Sequence, residues 1–174
     1  MSVESMHELL KHELGDLLFA EKTVLKGLKK MSKEVKNPMI QERLLQHYDE
    51  TEQQIANLES AFEAIGEKAK AQKCPGILGL MTEHDDFKEE EEPSKEMLEA
   101  FDLGSGLRIE HYEIAAYQTS IAIAKATGQV ECAQLLSANL AQELEMEKFL
   151  RTNAVKALKE LDRKAQAAAE EEEE

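Results

Sequence analysis

Four segments of this chain carry apolar residues at alternating spacings of three and four, and in each the stripe turns polar near its middle. The first, about residues 3 to 32, reads Leu10, Leu14, Leu17, Glu21, Val24, Leu28 and Met31. The second, about 38 to 66, reads Ile40, Leu44, His47, Thr51, Gln54, Leu58, Ala61 and Ile65, with Glu50 flanking its polar centre. The third, about 95 to 126, reads Leu103, Gly106, Glu110, Glu113, Tyr117, Ser120 and Ala124. The fourth, from about 130 into the 160s, reads Ala133, Leu136, Leu140, Glu143, Glu147, Leu150, Ala154 and Ala157. This spacing gathers each set on one face of an α-helix. The chain is therefore expected to be all-α, with four stripes facing one core.

The punctuation between the stripes sets the topology. Asn37-Pro38 marks a turn, because the residue before proline avoids helical geometry and proline suits a helix start. Gly66 and Thr127-Gly128 are helix terminators, and Ser94 is a helix cap. The stretch from Lys68 to Pro93 is too long for a simple turn and contains a short amphipathic piece (Ile77, Leu80, Met81). It reads as the long crossover of an antiparallel four-helix bundle, two hairpins joined by a connection with a short helix of its own. Residues 1–165 form the expected domain. The low-complexity acidic end at 166–174 offers nothing to pack and is expected to fray.

Composition excludes several partners. A net charge of -15 argues against nucleic acid, whose phosphates need clustered Lys and Arg, and against acidic membranes. No run approaches the roughly 18 apolar residues of a membrane span. The first residues lack a basic stretch followed by an apolar one, so a cytoplasmic location is expected. Cys74 and Cys132 form no Cys-x-x-Cys pair, which argues against zinc, iron–sulfur or rubredoxin-type sites. Both read as ordinary thiols, Cys132 as a buried one. The run Glu89 to Glu92 reads as a solvated face.

The heights of the acids along the helices carry the functional reading. Glu21 and Glu50 lie 29 residues apart around the first turn, and Glu113 and Glu143 lie 30 apart around the second. In an antiparallel hairpin, residues equidistant from the turn are level. All four stand about 20 Å from their turns at 1.5 Å per residue, and so meet in one layer. Glu50 is followed four residues later by Gln54, and Glu143 four residues later by Glu147, a two-fold internal repeat.

Each buried ionised carboxylate costs several kcal/mol, against a total domain stability of about 5 to 15 kcal/mol. Little basic residue is visible in the stripes beyond His47, since His111 is phased away from Glu113. Clustered hard oxygens suit iron or manganese, and two divalent ions would neutralise four charges.

This is the carboxylate arrangement of ferritin-like di-iron bundles. Glu21 within Phe-Ala-Glu-Lys, the string His47-Tyr-Asp-Glu-Thr51, the string Glu110-His-Tyr-Glu-Ile-Ala-Ala-Tyr117 and the pair Glu143/Glu147 resemble the YciE/YciF family of bacterial ferritin-like stress proteins over about residues 5 to 160. The resemblance implies a ferritin-like bundle, a homodimer and a di-metal centre of two iron ions or an iron/manganese pair, without an established activity. Its implied ligands are Glu21, Glu50, Gln54, Glu110, Glu113, Glu143 and Glu147. Glu110 with Glu113 also resembles the paired glutamates of rubrerythrins.

The chain departs from the Glu-x-x-His pattern of such bundles. Its acids stand four apart without histidine, and Gln54 supplies an amide where histidine would bind a transition metal better. His47 is placed to orient Glu50, or simply to be a hydrogen-bonded core histidine, and Tyr117 to bond a ligand or simply to pack. Two function classes follow: a metal centre reacting with oxygen or peroxide, and a stress-related structural or interaction protein with a vestigial or loosely occupied layer.

Overall fold

The computed structural model describes residues 3–35 and 37–173, as helices α1 (Met6–Glu34), α2 (Pro38–Ala64), α3 (Pro75–Glu90), α4 (Lys95–Ala126) and α5 (Val130–Glu173). Local chemistry sets most ends. Ser5 and Ser94 accept hydrogen bonds from the backbone N–H groups of Glu8 and Met97, and Asn37 accepts from Met39 and Ile40 with Pro38 in the first turn. Such a cap stabilises a helix by about 1 kcal/mol. α2 and α4 close in the same way. Gly66 and Gly128 adopt φ of 77° and 72°, and the N–H groups of Glu67 and Gln129 reach back to the carbonyls of Phe62 and Ala124.

α1 packs on α2 and α4 on α5, and the hairpins meet through α1 against α4 and α2 against α5. The expected four-helix bundle with a helix-bearing crossover is the observed fold. The crossover is pinned where Gln72 N–H donates to the Gly15 carbonyl at 2.8 Å; a Cβ at Gly15 would stand 3.0 Å from the Lys70 carbonyl oxygen, so glycine permits this approach. Among the described residues, no helix is long and apolar enough to cross a membrane.

Two details differ from the stripes. In α5 the buried positions include Leu136, Asn139, Glu143, Met146 and Leu150, while Leu140 and Glu147 are only partly buried. An α-helix turns every 3.6 residues rather than every 3.5, so the inward line drifts from a strict heptad. α5 also continues as helix through Glu173, although residues 162–164, 166–168 and 170 are exposed. The Ala, Glu, Lys and Gln content of this stretch suits a helix without tertiary packing. Glu174 lies outside the described residues.

The interior divides into two apolar halves. One joins the start of α1, the end of α2 and the α4–α5 turn through residues such as Leu14, Leu58, Phe62, Ile121 and Leu136. The other joins the α1–α2 turn, the start of α4 and the middle of α5 through Val24, Leu28, Leu44, Met146 and Leu150. Between them lies a polar layer.

Candidate metal centre

Glu21 from α1, His47 and Gln54 from α2, Glu110 and Glu113 from α4 and Glu143 from α5 are each between 0% and 3% exposed. His47 Nε2 lies 3.4 Å from Glu110 Oε1. One ligand atom from each of His47, Glu110 and Glu143 lies within 4.8 Å of the other two.

Hydrogen bonds tie the helices together around this layer. The Tyr117 hydroxyl donates to Glu21 Oε1, and Gln54 Nε2 donates to Glu143 Oε1. Asn139 Nδ2 donates to Tyr117 Oη at 3.0 Å and to the Gln54 carbonyl at 3.1 Å, while its own Oδ1 accepts from Asn57 Nδ2 at 2.7 Å. Tyr117 therefore bonds a layer carboxylate as well as packing.

Glu50 and Glu147 lie at the edge. Glu50 accepts from Arg43 Nη1 at 2.8 Å and Gln46 Nε2 at 2.7 Å, with His47 Nδ1 3.2 Å from its Oε2. The imidazole points Nε2 into the layer and Glu50 stands behind it, as a carboxylate steers a metal-binding histidine. Glu147 accepts from Arg151 Nε at 2.8 Å and lies 4.0 Å from the exposed His111. Its neighbour in the chain, Met146, occupies the inward position instead.

Electrostatics follow from this crowding. Burial, reinforced by neighbouring carboxylates, raises Glu113 and Glu143 well above the usual carboxylate range. Burial also raises Glu21, to about 7, although the bond from Tyr117 opposes it. For His47, burial acts downward, but its interactions with Glu110 and Glu50 prevail and raise it to about 9. Burial pushes Glu50 upward, and the bonds from His47 and Arg43 overcome this and lower it.

The donor set fits a metal. Glu113 Oε1 and Oε2, one further oxygen on each of Glu21, Glu110 and Glu143, and Gln54 Oε1 are all buried without a hydrogen-bond partner, and His47 Nε2 faces Glu110 Oε1 at 3.4 Å. Buried polar atoms are normally paired, and this concentration on facing side chains is what carboxylate-rich coordination requires.

The stripes missed Asn139 and Arg43. Asn139 stands four residues before Glu143 and so shares its buried face, whereas Leu140, the residue in the strict alternation, is only partly buried. Arg43 belongs to the same helix face as His47, one turn earlier, and supplies the cation that Glu50 needs. Outside the layer, the Tyr112 hydroxyl donates to Asp16 Oδ2 at 2.9 Å and lies 2.8 Å from Cys74 Sγ, joining α4, α1 and the start of α3.

Residues 5–165 match the family model described as a domain of unknown function, DUF892. The chain belongs to that family. Protein YciF of Escherichia coli strain K12 is 29% identical over 144 residues, covering 82% of this chain and 86% of that protein. The crystal structure of the E. coli stress protein YciF superposes with a TM-score of 0.81 at 27% identity, covering 90% of this chain and 99% of that one. YcfI from Rhodopseudomonas palustris, provisionally described as a structural protein, superposes with a TM-score of 0.82 at 34% identity, covering 87% of this chain and 96% of that one. The family resemblance seen in the sequence motifs is thereby established.

Proposed function

We propose that this protein binds a di-metal centre, two iron ions or an iron/manganese pair, in the layer formed by Glu21, His47, Glu110, Glu113 and Glu143. The observation that carries the reading is the set of buried, unpartnered oxygens on facing carboxylates, joined by an imidazole nitrogen. Gln54 Oε1 adds a weaker amide donor, while Glu50 holds the imidazole in orientation. Glu147, bonded to Arg151, belongs to the rim.

When bound, such a pair supplies redox chemistry toward oxygen or peroxide. The chain's own residues set its conditions. The apolar halves exclude water, Tyr117 and Asn139 fix Glu21 and Gln54, and His47 must release a proton for Nε2 to act as a donor. Cys74 and Cys132 form no Cys-x-x-Cys pair that could hold a rubredoxin-type iron, so turnover would draw on an external reductant. A role in stress response is proposed from the description of E. coli YciF. A homodimer is proposed from the family resemblance, and sedimentation showing a monomer or a large cage overturns it.

A second reading, a non-catalytic stress-related structural protein, is favoured by the raised proton affinities of Glu113, Glu143 and Glu21. They allow a layer kept neutral by protons. Elemental analysis and an optical spectrum of protein purified without chelators separate the two. The di-metal reading expects about two ions per chain, and absence of bound iron and manganese favours the structural reading.

A further inference from the structure

The apolar half next to the α1–α2 turn is incompletely filled. A cavity of about 100 Å³ lies among the second half of α1, the starts of α2 and α4 and the later part of α5. Its walls include Leu28, Met31, Leu44, Leu103 and Met146, and Glu110 of the carboxylate layer also lines it. The Oε2 atom of Glu110 is buried without a hydrogen-bond partner.

Two glycines help create this space. Gly27 and Gly106 both lie inside helices and line the cavity. Close packing requires neither of them. A Cβ at Gly27 would meet only Met81 Cε at 3.7 Å, and one at Gly106 only Leu150 Cδ1 at 3.5 Å, both ordinary contacts. A glycine inside a helix sacrifices about 1 kcal/mol relative to alanine. Here the sacrifice leaves room instead of allowing two backbones to approach. Methionines 31, 81 and 146 add walls that adapt to an occupant's shape.

We propose that this cavity is a binding site for the alkyl chain of a small aliphatic molecule, whose inner end lies against Glu110 at the edge of the carboxylate layer. Cavities lined this way take apolar occupants in preference to water. The lining of this cavity also holds Glu99, Asp102 and Glu160, with His84 Nε2 2.7 Å from Asp102 Oδ1 and Lys164 3.0 Å from Glu160, so the paired and unpaired acids together outnumber the cations there. This acid-rich mouth favours a neutral or cationic head group over a carboxylate. A role as substrate for such a ligand rests on the di-metal reading, whereas its binding does not.

Calorimetric titration of metal-free protein with 1-hexanol, 1-octanol, octylamine and octanoate tests the site. Binding should tighten about fourfold per added methylene until the cavity is full, with octanoate the weakest eight-carbon probe. Gly106→Leu should abolish octanol binding, and Gly106→Ala, which adds only an unstrained Cβ, should weaken it with the fold retained by circular dichroism. Absence of octanol binding to the parent, or equal binding to parent and Gly106→Ala, overturns the proposal. So does octanol binding that weakens as protein concentration rises, which would assign the mouth to a second copy of the chain. Failure of the di-metal reading alone would leave the octanol result unchanged.

Discussion

The two apolar halves flanking the carboxylate layer are built differently. In the half that contains the α4–α5 turn, Leu10, Leu14, Leu58 and Leu136 are fully buried and interlock with Phe62 and Ile121. In the opposite half, Met31, Ile40, Leu103 and Ile109 are only partly buried, two glycines line the wall, and a cavity reaches Glu110. Both halves obey the same helical spacing, so periodicity alone does not distinguish them. Both halves are rich in leucine; the difference lies in Gly27 and Gly106, which leave space in the wall of the open half, and in Met31, Met81 and Met146, which make that wall adjustable. The half that contains the cavity is thus the less completely packed of the two.

The largest expected effect breaks the closed half. Leu58→Ala should destabilise the protein by about 2 to 5 kcal/mol, whereas Leu103→Ala, in the open half, should lose only about 1 kcal/mol because its side chain buries less surface. Urea melts of the two variants test the asymmetry, and equal losses would refute it.

Within the layer, Glu143→Gln removes the charge and retains an oxygen for Gln54, while Glu143→Leu leaves the Gln54 amide without its acceptor. Without metal, the Gln variant should match or exceed the parent in stability, and the Leu variant should lose about 1 to 3 kcal/mol. Both should lose tight metal binding. Undiminished metal content in either would sink the ligand assignment of Glu143.

The pH dependence of the metal-free protein sharpens the same point. The folded-state values of Glu21 and His47 are raised above their unfolded values, to about 7 and about 9. Their protonated forms favour folding, so stability is greatest below the unfolded pKa and is lost as pH rises. For Glu21 the loss falls between about 4.5 and 7, and for His47 between about 6.5 and 9. Glu50 is lowered and acts oppositely, its contribution fading as pH falls below its usual range. Thermal melts from pH 5 to 9 should show metal-free stability declining, while bound metal, which displaces these protons, becomes more stabilising. A rising metal-free profile would contradict this assignment.

Glu147→Gln should have the smallest effect, within about 0.5 kcal/mol and without loss of metal, because Glu147 contacts a largely exposed Arg151. A marked loss of metal would move Glu147 back among the ligands.

Much of this was legible in the sequence. The alternating spacing of Leu10 to Met31 and its counterparts specified the helices, and the equal heights of Glu21, Glu50, Glu113 and Glu143 above their turns pointed to the layer, at whose edge Glu50 stands behind His47. Three features escape a reading by strict periodicity. A strict three-four alternation through α5 selected Leu140 and Glu147, whereas the drift of a real helix buries Asn139 and Met146. The direction of the His47 ring depends on Arg43 and Glu50, whose bonds spacing does not reveal. The helical continuation beyond residue 165 follows local propensity and leaves no periodic apolar trace.

The most direct test of the central claim is anaerobic calorimetric titration of metal-free protein with ferrous iron and, separately, with manganese, read alongside melting temperature. About two ions per chain should bind, and the melting temperature should rise with metal concentration, since binding favours the folded state. No binding by either metal, together with an unchanged melting temperature, would contradict it.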